Sequence, residues 1–251
     1  SYVQGYFDYD SRKSGNVTIS HMRSSYMPIN APFNPQKVNV VVCNNEVFLE
    51  KFDVTDCLKK NGVLLLNTKY DFEELNKVMP NKMKCDLISK NISVYCLDAN
   101  SIAFKHGLGG KINTIMQKAL FTVSHLLPED MAMESLSKMI VKSYSKKGEK
   151  IVNANLDAIK DADASIRKID AKNLTTKEIA VCKVKQSDFY EDVIDPINNQ
   201  QGNSVPVSKF SADGRMDTDT SKFEKRSFAT HLPEWISKKC IQCGRCTMMC
   251  P

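Results

Sequence analysis

The sequence predicts an α/β protein: a parallel-sheet domain with flanking helices, then an extended irregular linker and a truncated ferredoxin-like motif. Three observations carry this reading. Short apolar runs at residues 38–42, 63–66 and 92–97 alternate with segments of helical period, the pattern of strands buried on both faces between crossover helices. Residues 186–230 sustain no period and are dominated by Asp, Asn, Ser, Gln, Gly and Pro, over a length unusual for a simple connection. Four cysteines then crowd the last twelve positions.

Taken in order, residues 1–35 are rich in Tyr, Ser, Gly and Pro and read as loop and strand. Residues 38–42 form the first buried strand. Residues 46–60 have helical spacing, with Val47, Leu49, Phe52, Val54 and Leu58 apolar and Asn61-Gly62 as a stop. Residues 63–66 read as the next strand. Asp71 is placed to cap the short helix FEELNKVM, which Pro80 ends. Residues 92–97 form a third strand, adjacent and parallel to the others through right-handed crossovers. Three helices follow. The first covers residues 111–126, with Ile112, Ile115, Met116, Ala119, Leu120 and Val123 on one face. The second opens at Pro128-Glu129-Asp130 and runs to about Ser145. Its stripe of Met133, Leu136, Met139 and Ile140 reads as core. The third spans residues 149–167. These readings divide the chain into an α/β domain at 1–172, a linker at 173–239 and the start of a cluster-binding domain at 240–251. Phe189, Tyr190, Phe210 and Phe223 are the expected anchors of the linker.

Composition excludes several classes. With 42% apolar and 25% charged residues and a net charge of +6, the chain has the means to build a core. No apolar run approaches the roughly 18–20 residues a membrane span needs, and the first fifteen residues are polar where a secretory signal is apolar. Neither membrane nor nucleic acid is an expected partner, because the basic excess is interleaved with acid. An anionic ligand remains compatible.

Nine cysteines, an odd number, argue against a closed disulfide framework. Cys43, Cys57, Cys85, Cys96 and Cys182 read as reduced, buried, small hydrophobes. Cys240, Cys243, Cys246 and Cys250, followed by Pro251, read C-x2-C-x2-C-x3-C-P. That is the bacterial ferredoxin spacing for a [4Fe–4S] cluster, whose fourth cysteine serves the other cluster where there are two. The alternative is zinc, although zinc motifs usually separate two C-x-x-C pairs by a longer loop. The chain stops one residue after this motif and begins without Met, so a fragment of a longer protein is expected.

Two segments suit an anion. Residues 11–23 gather Arg12, Lys13, Ser14, Gly15, Thr18, Ser20 and Arg23, and Gly107, Gly109 and Gly110 precede the helix at Lys111, where backbone N–H groups face outward. On these residues alone a tight turn is the better account of the glycines. His21 is open to acid–base work or to a packed, hydrogen-bonded role. His106, His125 and His231 show no partner spacing. Trp235 reads as an anchor for the chain entering the cysteine motif, with direct electron transfer through it as an alternative.

GYFDYDSRKSGNVTISHMR at 5–23, GLGGKINTIMQKALF at 107–121, VPVSKFSADG at 205–214, FEKRS at 223–227 and LPEWI at 232–236 together resemble the pyruvate:ferredoxin (flavodoxin) oxidoreductases over essentially the whole chain. The resemblance implies a gamma-type domain associated with coenzyme A, a linker named for Glu224, Lys225 and Arg226, and the beginning of a two-cluster ferredoxin domain. It implies oxidative decarboxylation of pyruvate to acetyl-CoA and CO2, with electrons passing through iron–sulfur clusters to ferredoxin or flavodoxin. Thiamine diphosphate and Mg2+ belong to domains outside this chain, which alone is not expected to turn over. The coenzyme A residues it implies are Lys13, Ser14, Thr18, Lys111, Asn113 and Gln117. It further implies the remaining domains of the enzyme as partners and a homodimer at full length; the cysteine usage, which reads as reducing, gives the cytoplasm or a hydrogenosome-like anaerobic organelle. The competing reading is a non-catalytic electron-carrier or scaffold subunit.

Overall fold

Tyr2–Tyr9 (β1) and Thr18–Ser25 (β2) pair antiparallel, from Tyr2 opposite Ser25 to Tyr9 opposite Thr18. They open a computed structural model that describes residues 2–9, 17–176, 188–198, 201–218, 220 and 233–249. The second sheet holds Val38–Cys43 (β3), Leu58–Asn67 (β4), Ser93–Leu97 (β5) and Arg167–Ile169 (β6) in that spatial order. β3, β4 and β5 are parallel neighbours, as their apolar runs predict, and β6 adds an antiparallel edge.

Alternation along β4 divides the core. Leu64 and Leu66 face Phe48–Lys51 (α1), Phe72–Val78 (α2) and Asn81–Ser89 (α3), packing with Leu49, Leu75, Met83 and Leu87. Leu65 faces the other way, toward Ala99–Lys105 (α4), Asn113–Ser124 (α5) and Glu149–Ser165 (α7). Both faces of the strand are thus dry, and each of these leucines contributes about 2 kcal/mol of transfer free energy. Glu129–Tyr144 (α6) packs on α7 through Leu136, Ile140 and Ile159, with Met133 and Met139 alongside. The methionine stripe is core. Ala171 and Leu174 close the first cluster, and Asn76 brackets Thr175 with hydrogen bonds of 2.7 and 3.0 Å.

The helix expected over residues 46–60 is the main correction. Only the single turn α1 forms, and Phe52 is already extended. Asp53 Oδ1 accepts from the N–H groups of Thr55 and Asp56 at 3.1 and 3.0 Å, a local turn that competes with helix. Asn61-Gly62 does not stop a helix but sits inside β4, where Asn61 is left-handed (φ 58°) and the register with β3 shifts. A Cβ on Gly62 would lie 2.9 Å from Lys59 O and 3.0 Å from Asn39 O. α3, α4 and β6 are further elements beyond the expected set. The helix expected from residue 111 begins at Asn113, and the one expected to residue 167 yields to β6.

The linker holds short turns: a π-helical turn Tyr190–Ile194 running into Asp195–Asn198 (α8), and 3-10 turns at Gly202–Ser204 and Val207–Lys209. Lys209 Nζ reaches Asp192 at 2.6 Å. Phe189 and Tyr190 are half-buried and Phe210 is exposed; Phe223 and the Glu224-Lys225-Arg226 triplet lie outside the described residues. Cys43 and Cys96 are buried as expected, whereas Cys85 is exposed and Cys182 lies outside the described residues. Among the described residues, no helix is long and apolar enough to cross a membrane.

Candidate functional site

The start of α5 is built by glycine. Gly107 (φ 70°) and Gly109 (φ 62°) are left-handed, a conformation a side chain would strain. They turn the chain from α4 into α5. Ile112 caps α5 without a side-chain hydrogen bond, which leaves first-turn N–H groups available to an acceptor. Lys111, Asn113 and Gln117 are all exposed around this end. Asn113 Nδ2 donates to Tyr144 Oη at 3.3 Å, while the buried pair Thr114 Oγ1 and Asn155 Oδ1, 2.9 Å apart, locks α5 to α7. Asn155 Nδ2 donates in turn to Ile151 O at 2.8 Å. One cation, two amides and a helix N-terminus therefore share one rigid end of α5, a combination suited to phosphate oxygens.

Thr18 begins β2, exposed and opposite Tyr9. No hydrogen bond or ion pair among the described residues connects it to α5, and Lys13 and Ser14 lie outside them. The structure thus gathers Lys111, Asn113 and Gln117 but does not join Thr18 to them.

His21 takes the hydrogen-bonded role: its Nε2 lies 2.8 Å from Asp8 Oδ2, which also accepts from Asn34 Nδ2 at 2.8 Å. His106, for which no partner was evident in the spacing, pairs with Asp161 across 2.9 Å. A separation of 55 positions along the chain hid that contact.

In the cysteine motif, Cys240, Cys243 and Cys246 are exposed, and Cys250 lies outside the described residues. Gln242 (φ 55°) and Gly244 (φ 70°) are left-handed, turning the chain between successive thiols into Arg245–Met249 (α9), which carries Cys246. The side chain of Trp235 and then the Gln242 N–H, 3.4 Å from Sγ, hold the Cys240 thiol below its ordinary pKa. Among the described residues no three metal-ligating side chains converge. The donor chemistry nonetheless fits iron: soft thiols, N–H groups directed at sulfur, and a backbone that reverses between ligands.

One polar centre was not singled out in the sequence. At the carboxyl ends of the parallel strands, Asn67 Oδ1 accepts from Ala99 N–H at 2.9 Å and its Nδ2 donates to Asn44 O at 3.0 Å. Thr68 Oγ1 donates to Glu46 at 2.5 Å and accepts from Tyr70 N–H at 3.0 Å. Open α/β sheets present ligand crevices at this edge. The signal was Asn44-Asn45 and Asn67-Thr68, polar pairs directly after apolar strands. A separate open groove of about 450 Å³ between α3 and β6, bordered by Ile88, Asn91 and Lys168, contains none of the residues selected from sequence.

Comparison with known proteins adds independent findings. Residues 1–164 match the family model described as pyruvate ferredoxin/flavodoxin oxidoreductase, and residues 176–229 match the EKR model, described as a domain of unknown function. The chain is 37% identical over 253 residues to a pyruvate:ferredoxin oxidoreductase of Moorella thermoacetica, and 38% identical over 256 residues to a pyruvate-flavodoxin oxidoreductase of Enterobacter agglomerans. Each alignment takes in 100% of this chain and 22% of the relative. The chain therefore spans about a fifth of the length of these relatives. Among solved structures, the pyruvate oxidoreductase subunit PORC of Thermotoga maritima superposes with a TM-score of 0.50 at 23% identity, covering 67% of this chain and 82% of that one. That likeness establishes the shared fold.

Proposed function

The chain belongs to the pyruvate ferredoxin/flavodoxin oxidoreductase family, and from that premise we propose that it serves as the coenzyme A-associated and electron-exit part of such an enzyme. The reaction joins pyruvate and coenzyme A to give acetyl-CoA, CO2, one proton released from the thiol and two electrons, which leave singly for ferredoxin or flavodoxin. What carries the reading is full-length alignment of this chain to pyruvate oxidoreductases together with the four-cysteine motif.

Within that reading, residues 1–172 form the gamma-type domain, 173–239 the linker and 240–251 the start of the cluster domain. Lys111, Asn113 and Gln117 at the α5 N-terminus hold coenzyme A phosphates, with Lys13, Ser14 and Thr18 as the hairpin's share. Cys240, Cys243, Cys246 and Cys250 hold iron, Cys250 serving a neighbouring cluster. A bound [4Fe–4S] cluster supplies one-electron transfer at low potential. Until it is bound, this chain's part is to keep the thiols exposed, reversed in direction and served by N–H donors. Thiamine diphosphate and Mg2+ act in the remaining domains. The free cysteines among the described residues support a reducing compartment, and the cytoplasm is the one proposed.

The test is anaerobic. The assembled oxidoreductase should reduce ferredoxin only when pyruvate and coenzyme A are both present. Lys111→Ala should raise KM for coenzyme A several-fold at low salt, with the difference from the unmodified enzyme shrinking as salt is raised, while kcat changes little. An enzyme that binds iron and sulfide yet ignores pyruvate would instead match an electron-carrier subunit.

A further inference from the structure

The hairpin of β1 and β2 is patterned inside out. Its register places Gln4, Tyr6, Asp8, Ile19, His21 and Arg23 on one face and Val3, Gly5, Phe7, Tyr9, Thr18, Ser20, Met22 and Ser24 on the other. The first face, which also takes in Tyr2 and Ser25, carries both charges, Asp8 and Arg23, and its Gln4, Tyr6, Ile19, His21 and Arg23 are half-buried, while Tyr2 and Asp8 are exposed. Gln4 Nε2 donates to Ala31 O at 3.0 Å and Arg23 Nη1 to Gln4 Oε1 at 3.1 Å. The Arg23 guanidinium lies 4.8 Å from the Phe33 ring centre, and Asn34 bonds Asp8. The second face carries no charge, and all eight of its residues are exposed. Val3, Phe7, Tyr9 and Met22 stand 66, 70, 77 and 53% open.

A hairpin facing water normally turns its polar residues outward, and two strands alone are marginally stable. A solvent-facing sheet surface that lacks any charge and offers Phe, Tyr, Val and Met has the composition of an interface core. We propose that this face, short of Thr18 at its tip, docks against a further domain of the same oxidoreductase, on an uncharged, apolar surface of that domain. The occupant follows from the family: relatives carry about four-fifths of their length beyond the part this chain matches, and the Thermotoga counterpart of this fold is itself described as a subunit. The inference rests on the functional reading above in its choice of partner. The inverted patterning does not depend on it.

The experiment places a reporter at the centre of the face in the assembled oxidoreductase, as Ser20→Cys, and follows maleimide labelling of that peptide by mass spectrometry. Docking slows labelling about tenfold or more relative to the same protein in denaturant, as exclusion of water from an interface core requires. Adding Phe7→Lys and Met22→Lys restores fast labelling and reduces the assembled fraction. Labelling slowed by less than that, or protection untouched by the two lysines, overturns the proposal. So does protection that arises from a disulfide between the introduced thiols of two hairpins. Pyruvate-dependent ferredoxin reduction, measured on the same Ser20→Cys preparation, separates the two ideas. An active enzyme whose introduced thiol labels freely sinks the docking face alone. A protected thiol in a protein without pyruvate activity sinks the functional reading alone.

Discussion

Lys118 Nζ, on a side chain 1% exposed, lies 2.5 Å from Asp163 Oδ2 and so joins α5 to α7 at the end opposite the Thr114–Asn155 pair. Thr122 Oγ1 accepts from the same ammonium at 2.9 Å and donates to Asp163 Oδ1 at 2.7 Å. A buried ammonium is tolerable because Asp163 and Thr122 accept from it and the Glu129 carboxylate lies 3.7 Å away. Lys118→Ala strips Asp163 of that partner, and the expected loss is about 2 kcal/mol, below the usual value for a broken buried pair because Asp163 keeps contact with water. Lys118→Met with Asp163→Leu should recover much of it. Urea midpoints for the three proteins check this.

Asp71 makes a full capping box on α2: its carboxylate accepts from Glu74 N–H at 2.8 Å, and Glu74 reaches back to Asp71 N–H at 3.1 Å. Asp71→Ala should cost about 1 kcal/mol, and Asp71→Ser much less. The two melting temperatures should fall in that order.

Gly62 is crowded by two backbone oxygens, of Lys59 and Asn39, as well as by the Leu58 side chain at 3.1 Å. Gly62→Ala forces β3 and β4 apart at their register shift, with an expected loss of about 2 kcal/mol. Amide exchange should quicken in both strands; an unchanged pattern contradicts the assignment of Asn61-Gly62 to β4.

Burial pushes the Asp53 carboxyl up, but the Lys82 ammonium at 2.7 Å and the hydroxyl and N–H of Thr55 outweigh it and hold it below the usual carboxylate range. A depressed folded value stabilises the protein above the unfolded pKa of about 4 and is lost as pH falls through the folded one. Asp53→Asn should therefore flatten the decline of stability between about pH 5 and about pH 2. Chemical denaturation across that range is the measurement.

Burial raises the Cys43 thiol to about 11 and the Cys96 thiol to about 12, leaving almost no thiolate at neutral pH. Cys85 is exposed. Maleimide at pH 7 should modify Cys85 quickly and spare Cys43 and Cys96 until the chain unfolds.

Periodicity made much of the fold legible. The runs at 38–42, 63–66 and 92–97 became adjacent parallel strands, and Asp71 capped the helix it precedes, because burial on two faces and a first-turn acceptor are local requirements. Residues 46–60 misled for the same reason: helical spacing survives in the sequence even where Asp53 folds back on the Thr55 amide. The site divides likewise. Lys111, Asn113 and Gln117 are near in sequence and share one end of α5. Asn67 bonding Asn44 and Ala99, and His106 meeting Asp161, depend on strand order and helix packing.

By itself, then, the amino-acid order determined the α/β class, the cysteine motif and the family, since each is written in residues close along the chain. Tertiary structure alone decided that β6 runs antiparallel, that Lys118 is buried beside Asp163, and that the hairpin leaves its uncharged face open. Those outcomes rest on contacts between distant segments, whose free energies exist only once the chain has brought them together.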